Sequence, residues 1–465
     1  MEMKVRMVGL AYRAIGRSAR PGVAVLLSAF GLAALTLGCQ EGGPLSENEM
    51  NQLRALTIAR AALPTDLTNA MGDDPGAARL GKLLFFDTRF SGALGPSNVV
   101  GGVNGSLGAP GDVGKIGCAS CHDPTVAAGA DHRSLPDATS LGAGYTPRNA
   151  PTVINAAYAP LWQFWDGRKD SLWSQALSPP EGVSEGNTTR LAVVHLLYDK
   201  YRDLYAGVFG AMPDVSALPP DGKPGDPTFD GLADPDQATV NQIYANFGKA
   251  IAAYERRLVS PAFTPSPFDS YMAGDDTAMT PGAIRGARLF VGHAGCTECH
   301  MGPLLTDFGF HNIGVPQEGE YVPVTDDGRL DGVSGLAKDP FNRAGDFSDD
   351  KESAHLTAFA GTLTADQQSA LMGKFKTPSL RNVGKTAPYM HDGAYQSLWD
   401  VVNHYNFGGE TGLYVGTKDP AISPLLLSND DLDDLVEFLS ALDDGGALTT
   451  ADFPEGLTTA PMSFP

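Results

Sequence analysis

Two pentapeptides of the form Cys-x-x-Cys-His, Cys118–His122 and Cys296–His300, constrain this chain more than anything else in it. They use four of its five cysteines; the fifth is Cys39. Two thiols three residues apart on one helical turn can form thioethers with the two vinyl groups of a haem. The histidine that follows then lies under the porphyrin as an axial ligand. A pair of CxxC groups can also hold structural zinc, and one CxxC can close a disulfide. Neither use calls for the histidine that follows both motifs. The spacing therefore predicts two covalently bound c-type haems, one held by Cys118, Cys121 and His122, the other by Cys296, Cys299 and His300.

The N-terminus reads as an export signal. Lys4, Arg6, Arg13, Arg17 and Arg20 precede an apolar run from Val23 to Leu37, and Gly38-Cys39 ends it. A basic region, an apolar stretch and small residues before a cleavage point direct a chain out of the cytoplasm. The run is shorter than the ~20 residues that span a bilayer. Cys39 is placed as the thiol of a lipoprotein processing site, although Thr36 stands where Leu is expected. Residues 1–38 are thus read as the signal, and the protein as periplasmic, with Cys39 as a candidate lipid anchor. The chain carries a formal charge of −21. That argues against nucleic acid and anionic membranes as partners and is compatible with a basic protein partner.

Strand signals are sparse, and one small unit occurs twice: Leu80-Gly-Lys-Leu-Leu-Phe85 before the first CxxCH and Gly286-Ala-Arg-Leu-Phe290 before the second. The expectation is a mainly α fold of two cytochrome c-like haem domains. Its loops are long, in keeping with 55 glycines and 34 prolines. Residues 39–77 read as a leader, 78–260 as the N-terminal domain and 261–465 as the C-terminal one, with an acidic insertion at 316–372. Residues 212–238 read as a loop. Helices are expected over Ala78–Phe86, Asn246–Leu258, Gln396–Asn406 and Asn429–Leu442, the last capped by Ser428 or Asn429.

The runs Pro147-Arg-Asn-Ala-Pro-Thr-Val-Ile-Asn155, Gln163-Phe-Trp-Asp-Gly-Arg168, Thr377-Pro-Ser-Leu-Arg-Asn-Val383 and Thr386-Ala-Pro-Tyr-Met-His391 resemble, in that order, the bacterial di-haem cytochrome c peroxidase and MauG-like family. The resemblance extends from about residue 78 to 443. It implies that peroxide reacts at the N-terminal haem and that the C-terminal haem handles electrons. Trp165 would lie between them. Gln175, Pro179 and Glu185 match the distal pocket, with Glu185 as acid/base. Asn149, Thr386 and Pro388 match a calcium site, the last two through backbone carbonyls.

The best-known peroxidases of the family carry a second histidine on the first haem, in the stretch before the PRNAP run. The matching position here is Ala143, and His132 is out of register. Alanine cannot ligate iron, so the first haem is expected to be open. On the second haem the usual methionine position is Tyr405. Stepping about 100° per residue, Leu398, Val401, Val402 and Tyr405 share one stripe, and His404 falls off it. Tyr405 is the expected ligand, with Met390 and His404 as rivals. The function expected is that of a di-haem peroxidase fed by a small cytochrome or cupredoxin; the alternatives are a MauG-like enzyme that oxidises a protein side chain and a non-catalytic electron carrier.

Overall fold

A computed structural model of the chain describes residues 43–99, 105–122, 130–131, 139–260 and 264–444. The expected signal, Cys39 and His132 lie outside the described residues. Among those described there are thirteen α-helices: α1 (Glu47–Ala55), α2 (Pro75–Phe86), α3 (Leu172–Gln175), α4 (Ser178–Glu181), α5 (Arg190–Phe209), α6 (Pro227–Asp230), α7 (Asp234–Glu255), α8 (Pro267–Met272), α9 (Pro281–Val291), α10 (Arg329–Ser334), α11 (Ala365–Leu371), α12 (Leu398–Asn406) and α13 (Asn429–Ser440). Sheet is confined, among the described residues, to one antiparallel pair, β1 (Phe310–His311) with β2 (Phe375–Lys376). The chain is helix-rich, as its sequence leads one to expect. No described helix is long and apolar enough to cross a membrane.

The two helices that precede the CxxCH motifs are built alike. Asp74 accepts a hydrogen bond from the Ala77 amide and Pro75 opens α2; Thr280 accepts from the Ala283 amide and Pro281 opens α9. A side-chain cap and a proline at the first position both favour a helix start. Helix α2 crosses α7, and α9 crosses α13. At each crossing a glycine lets the backbones touch. A Cβ on Gly81 would lie 1.8 Å from the Ala250 carbonyl oxygen, and one on Gly286 would lie 1.9 Å from that of Asp434. The repeat seen in the sequence is this crossing, used twice.

Each crossing anchors its own hydrophobic core. The first gathers Leu80, Leu84, Phe85, Trp173, Leu191, Tyr244 and Phe247, with Cys118 against it. The second gathers Phe268, Ala283, Phe290, Leu398, Val402, Leu432 and Phe438, with Cys296 against it.

Three expectations need correction. The leader does not simply lead into the first core. Leu53 and Leu56 are buried in the second, while Thr68 and Asn69 bond Trp173 and Lys249 in the first. Residues 227–230 and 234–238 are helix, not loop, because Pro227, and Asp234, Pro235 and Asp236, are suited to a helix's first turn. The 316–372 segment packs largely on the first core although it follows the second CxxCH. Phe341 is buried there, and Asp326, Asp339 and Asp349 pair with Arg148, Lys169 and Lys249.

Candidate functional site

Each CxxCH opens as a single 3₁₀ turn, Cys118–Ser120 and Cys296–Glu298. The amides of His122 and His300 return to the carbonyls of Cys118 and Cys296, both at 2.9 Å. Each imidazole holds Nδ1 on a backbone carbonyl, His122 on Pro151 and His300 on Leu305, again at 2.9 Å. That contact fixes ring and tautomer and assigns Nε2 to a metal. Two thiols and one oriented imidazole on a turn are the donors a c-type haem needs, and the chain supplies them twice.

Around the first motif, Gln175 ends α3 and Pro179 lies in α4. The Pro179 carbonyl accepts from the Gly186 amide at 2.9 Å, closing the turn that carries Glu185. Burial raises the Glu185 carboxyl above its ordinary value, against a smaller opposing pull from Arg168. Glu185 also acts electrostatically on Cys118, so it lies beside the first motif. Ala143 is 1% exposed and packs with Leu94 and Ile116. Its amide donates to the Glu185 carbonyl at 2.8 Å and its carbonyl accepts from Gly95 at 2.7 Å. The loop in which the resemblance places a second histidine is thus strapped to the Glu185 turn, with a methyl group at that position.

The second motif opens into a cavity of about 370 Å³. Cys296, Cys299 and His300 line it together with Trp165, Phe290, Met390, His391, Leu398, Val401, Val402 and Tyr405. Tyr405 lies one turn beyond Val401 and Val402 on α12, so the stripe read from the sequence is the cavity wall. Burial and the two cysteines push its phenol well above the ordinary value. His404 departs from expectation: it is 5% exposed. Its ring is held by partners of its own, Nδ1 meeting the Tyr395 hydroxyl and Nε2 the Ile313 carbonyl, both at 2.9 Å. Met390 shares the cavity with Tyr405.

Trp165 walls the second cavity and donates Nε1–H to the Asn149 carbonyl at 2.9 Å. Asn149 continues to the other side: its amide donates to the His391 carbonyl and its Nδ2 to the Pro388 carbonyl, each at 2.7 Å. Thr386 lies on the turn just before, its hydroxyl on the Val383 carbonyl. Turning the Asn149 amide so that Oδ1 faces Pro388 gives the neutral oxygen donors that suit calcium.

The profile for di-haem cytochrome c peroxidase matches residues 75–277. The cytochrome-c peroxidase IdrP1 of Denitromonas iodatirespirans is 33% identical, over 82% of this chain and 84% of its own. The chain belongs to the di-haem cytochrome c peroxidase and MauG family. The methylamine utilization protein MauG of Methylorubrum extorquens is 29% identical over 88% of this chain and 90% of its own. In fold, the di-haem peroxidase BthA of Burkholderia thailandensis covers 86% of this chain and 91% of its own, at 22% identity and a TM-score of 0.57. A MauG-like protein associated with microbial copper homeostasis covers 85% and 98%, at 23% identity and 0.55. Family membership implies two c-type haems, and the paired donors fit them.

Several residues near these sites draw no role from the sequence. Arg148 pairs with Asp166 at 2.5 Å and with Asp326 at 2.7 Å, and sits over the Phe375 ring. His391 stacks on that same ring, centroids 3.6 Å apart, and burial lowers its imidazole to about 3. At the cavity edge His311 lies between Asp419, 2.8 Å from Nδ1, and Asp307, 3.0 Å from Nε2. The Cys299 sulfur and these carboxylates raise it to about 10. The only signal for Arg148 and His391 is their place inside the PRNAP and APYMH runs.

Proposed function

We propose that this protein reduces hydrogen peroxide at the haem held by His122, with electrons drawn from a small redox protein through the haem held by His300. The observation that carries the reading is Glu185. A carboxyl held above its ordinary value by burial stands beside the first motif, against a loop that presents Ala143 instead of a ligand. The haem, when bound, supplies the iron that takes up peroxide and the oxidising equivalents it leaves. Glu185 accepts a proton from the nearer peroxide oxygen and returns it to the departing one, the work of a general acid/base. Pro179 closes the turn that positions it, and Gln175 helps Glu185 break the O–O bond. Trp165 stands between the two sites as the route for electrons. Asn149, Thr386 and Pro388 hold a calcium ion that keeps this middle segment in order. Two cytochrome c-like domains, export to the periplasm and a candidate lipid on Cys39 complete the reading.

A second reading, MauG-like oxidation of a protein side chain, is favoured by Tyr405. A phenolate on the second iron lowers its potential relative to methionine and favours higher oxidation states. Steady-state peroxide turnover with a reduced small cytochrome separates the two. Sustained, donor-dependent turnover supports the peroxidase. Peroxide consumption that no small cytochrome accelerates favours the second reading. A ferric spectrum of two low-spin haems with no reaction would instead mark an electron carrier.

A further inference from the structure

Tyr145 and Tyr321 stack with ring centroids 3.5 Å apart and planes 13° from parallel. Among the described residues this is the one stack of two tyrosines. Each ring comes from a loop that runs on from residues of one of the two sites. Tyr145 follows Ala143 and Gly144, whose amides donate to the carbonyls of Glu185 at 2.8 Å and Ser184 at 3.0 Å. The next amide, that of Thr146, returns to Ser140 at 2.9 Å, so the Tyr145 loop is pinned against the turn that carries Glu185. Tyr321 comes from the insertion, four residues after Gln317, which lines the second cavity and is held by the Leu413 carbonyl at 2.7 Å. Burial, then Tyr321 and Glu320, raises the Tyr145 phenol to about 12, so it is neutral and carries its proton. Glu320 is exposed and faces this phenol electrostatically.

We propose that the Tyr145–Tyr321 pair is a built-in reductant that spends itself when peroxide arrives without an electron donor, the two rings joining as a dityrosine. The inference rests on the peroxide-reducing reading and adds to it a modification site. Each phenol gives up one electron and its hydroxyl proton. The two phenoxyl radicals form a carbon–carbon bond between ring carbons next to the oxygens, and the two displaced ring hydrogens move to those oxygens. The two electrons and two protons released reduce one hydrogen peroxide to two waters. The stack brings the bonding carbons together beforehand, which is why coupling inside the molecule outpaces escape of either radical.

The test uses the ferric full-length protein with both haems, mixed with one equivalent of hydrogen peroxide and no donor, then digested. The expected product is a pair of peptides containing positions 145 and 321, joined and two hydrogens lighter than their sum, with dityrosine fluorescence. Reduced small cytochrome supplied beforehand should suppress it. Tyr321→Phe and Tyr145→Phe should each abolish it, and Tyr321→Phe should keep its donor-dependent turnover and haem spectrum. Peroxide consumed without this cross-link, or a cross-link that survives in Tyr321→Phe, overturns the inference and leaves the peroxidase reading standing. Peroxide left untouched even with a donor present overturns both.

Discussion

Glu185 holds its position through backbone contacts: its carbonyl takes the Ala143 amide and its turn closes on Pro179. Its side chain is therefore the exchangeable part of the device. In the proposed role the carboxylate must be ready to receive a proton, so kcat/KM for peroxide should fall as pH drops through the Glu185 pKa. Burial raises that pKa, so the fall should come above the ordinary carboxylate range. Glu185→Gln should remove this limb and lower kcat/KM by about 10²–10⁴-fold, with both haems in place by spectrum. A variant as fast as the parent would remove Glu185 from the reaction. At this scale the sequence is readable where chemistry is local. The CxxCH spacing needs only five residues, and Tyr405 lies on a stripe set by the helical period. The burial of His404 escapes that reading for a physical reason. Helix α12 is covered on two sides, and its second cover, the Ile313 carbonyl and the Tyr395 hydroxyl, is polar and leaves no apolar stripe to read.

The glycines of the helix crossings act at the next scale. Gly286 lies against the Asp434 backbone and Gly81 against Ala250. Adding a methyl group must push α9 from α13, or α2 from α7, since the atom met is backbone and cannot rotate away. Gly286→Ala is expected to destabilise the protein by about 1–3 kcal/mol, as overpacking does. Gly207, on α5, is different: a methyl group added there would meet nothing within 4 Å. Gly207→Ala should raise stability by up to about 1 kcal/mol through helix propensity alone. Urea unfolding of the two variants reads the contrast, and equal effects would mean that the crossing is not tight. The repeated Gly-x-x-x-Phe is visible in the sequence, but what each glycine touches is not, because Asp434 lies 148 residues after Gly286.

In the whole molecule the 316–372 segment is a brace rather than an appendage. It carries Phe341 into the first core, next to Trp173 and Tyr244. It also sets Asp326 on Arg148 and the Arg329 guanidinium on the Asp166 and Gly167 carbonyls, at 3.0 and 2.7 Å. The segment thus holds the loop that presents Trp165. Phe341→Ala should cost about 3–5 kcal/mol, measured by chemical unfolding; a change under about 1 kcal/mol would mean that the segment only rests on the surface. Composition gives this segment the look of a loose acidic loop, since its partners lie far away in the chain, Ala70 being 279 residues from Asp349. The same long-range packing fixes the Ala143 loop, and on that loop the account of function turns. On the proposed reading, with no side-chain ligand at position 143, the first iron would need no prior reduction to become accessible. The direct measurement is stopped-flow mixing of the fully oxidised protein with stoichiometric peroxide. The account predicts an immediate spectral change with no electron supplied. A protein that stays spectrally silent until it receives an electron would contradict it and would mean that His132 or another side chain caps the first iron.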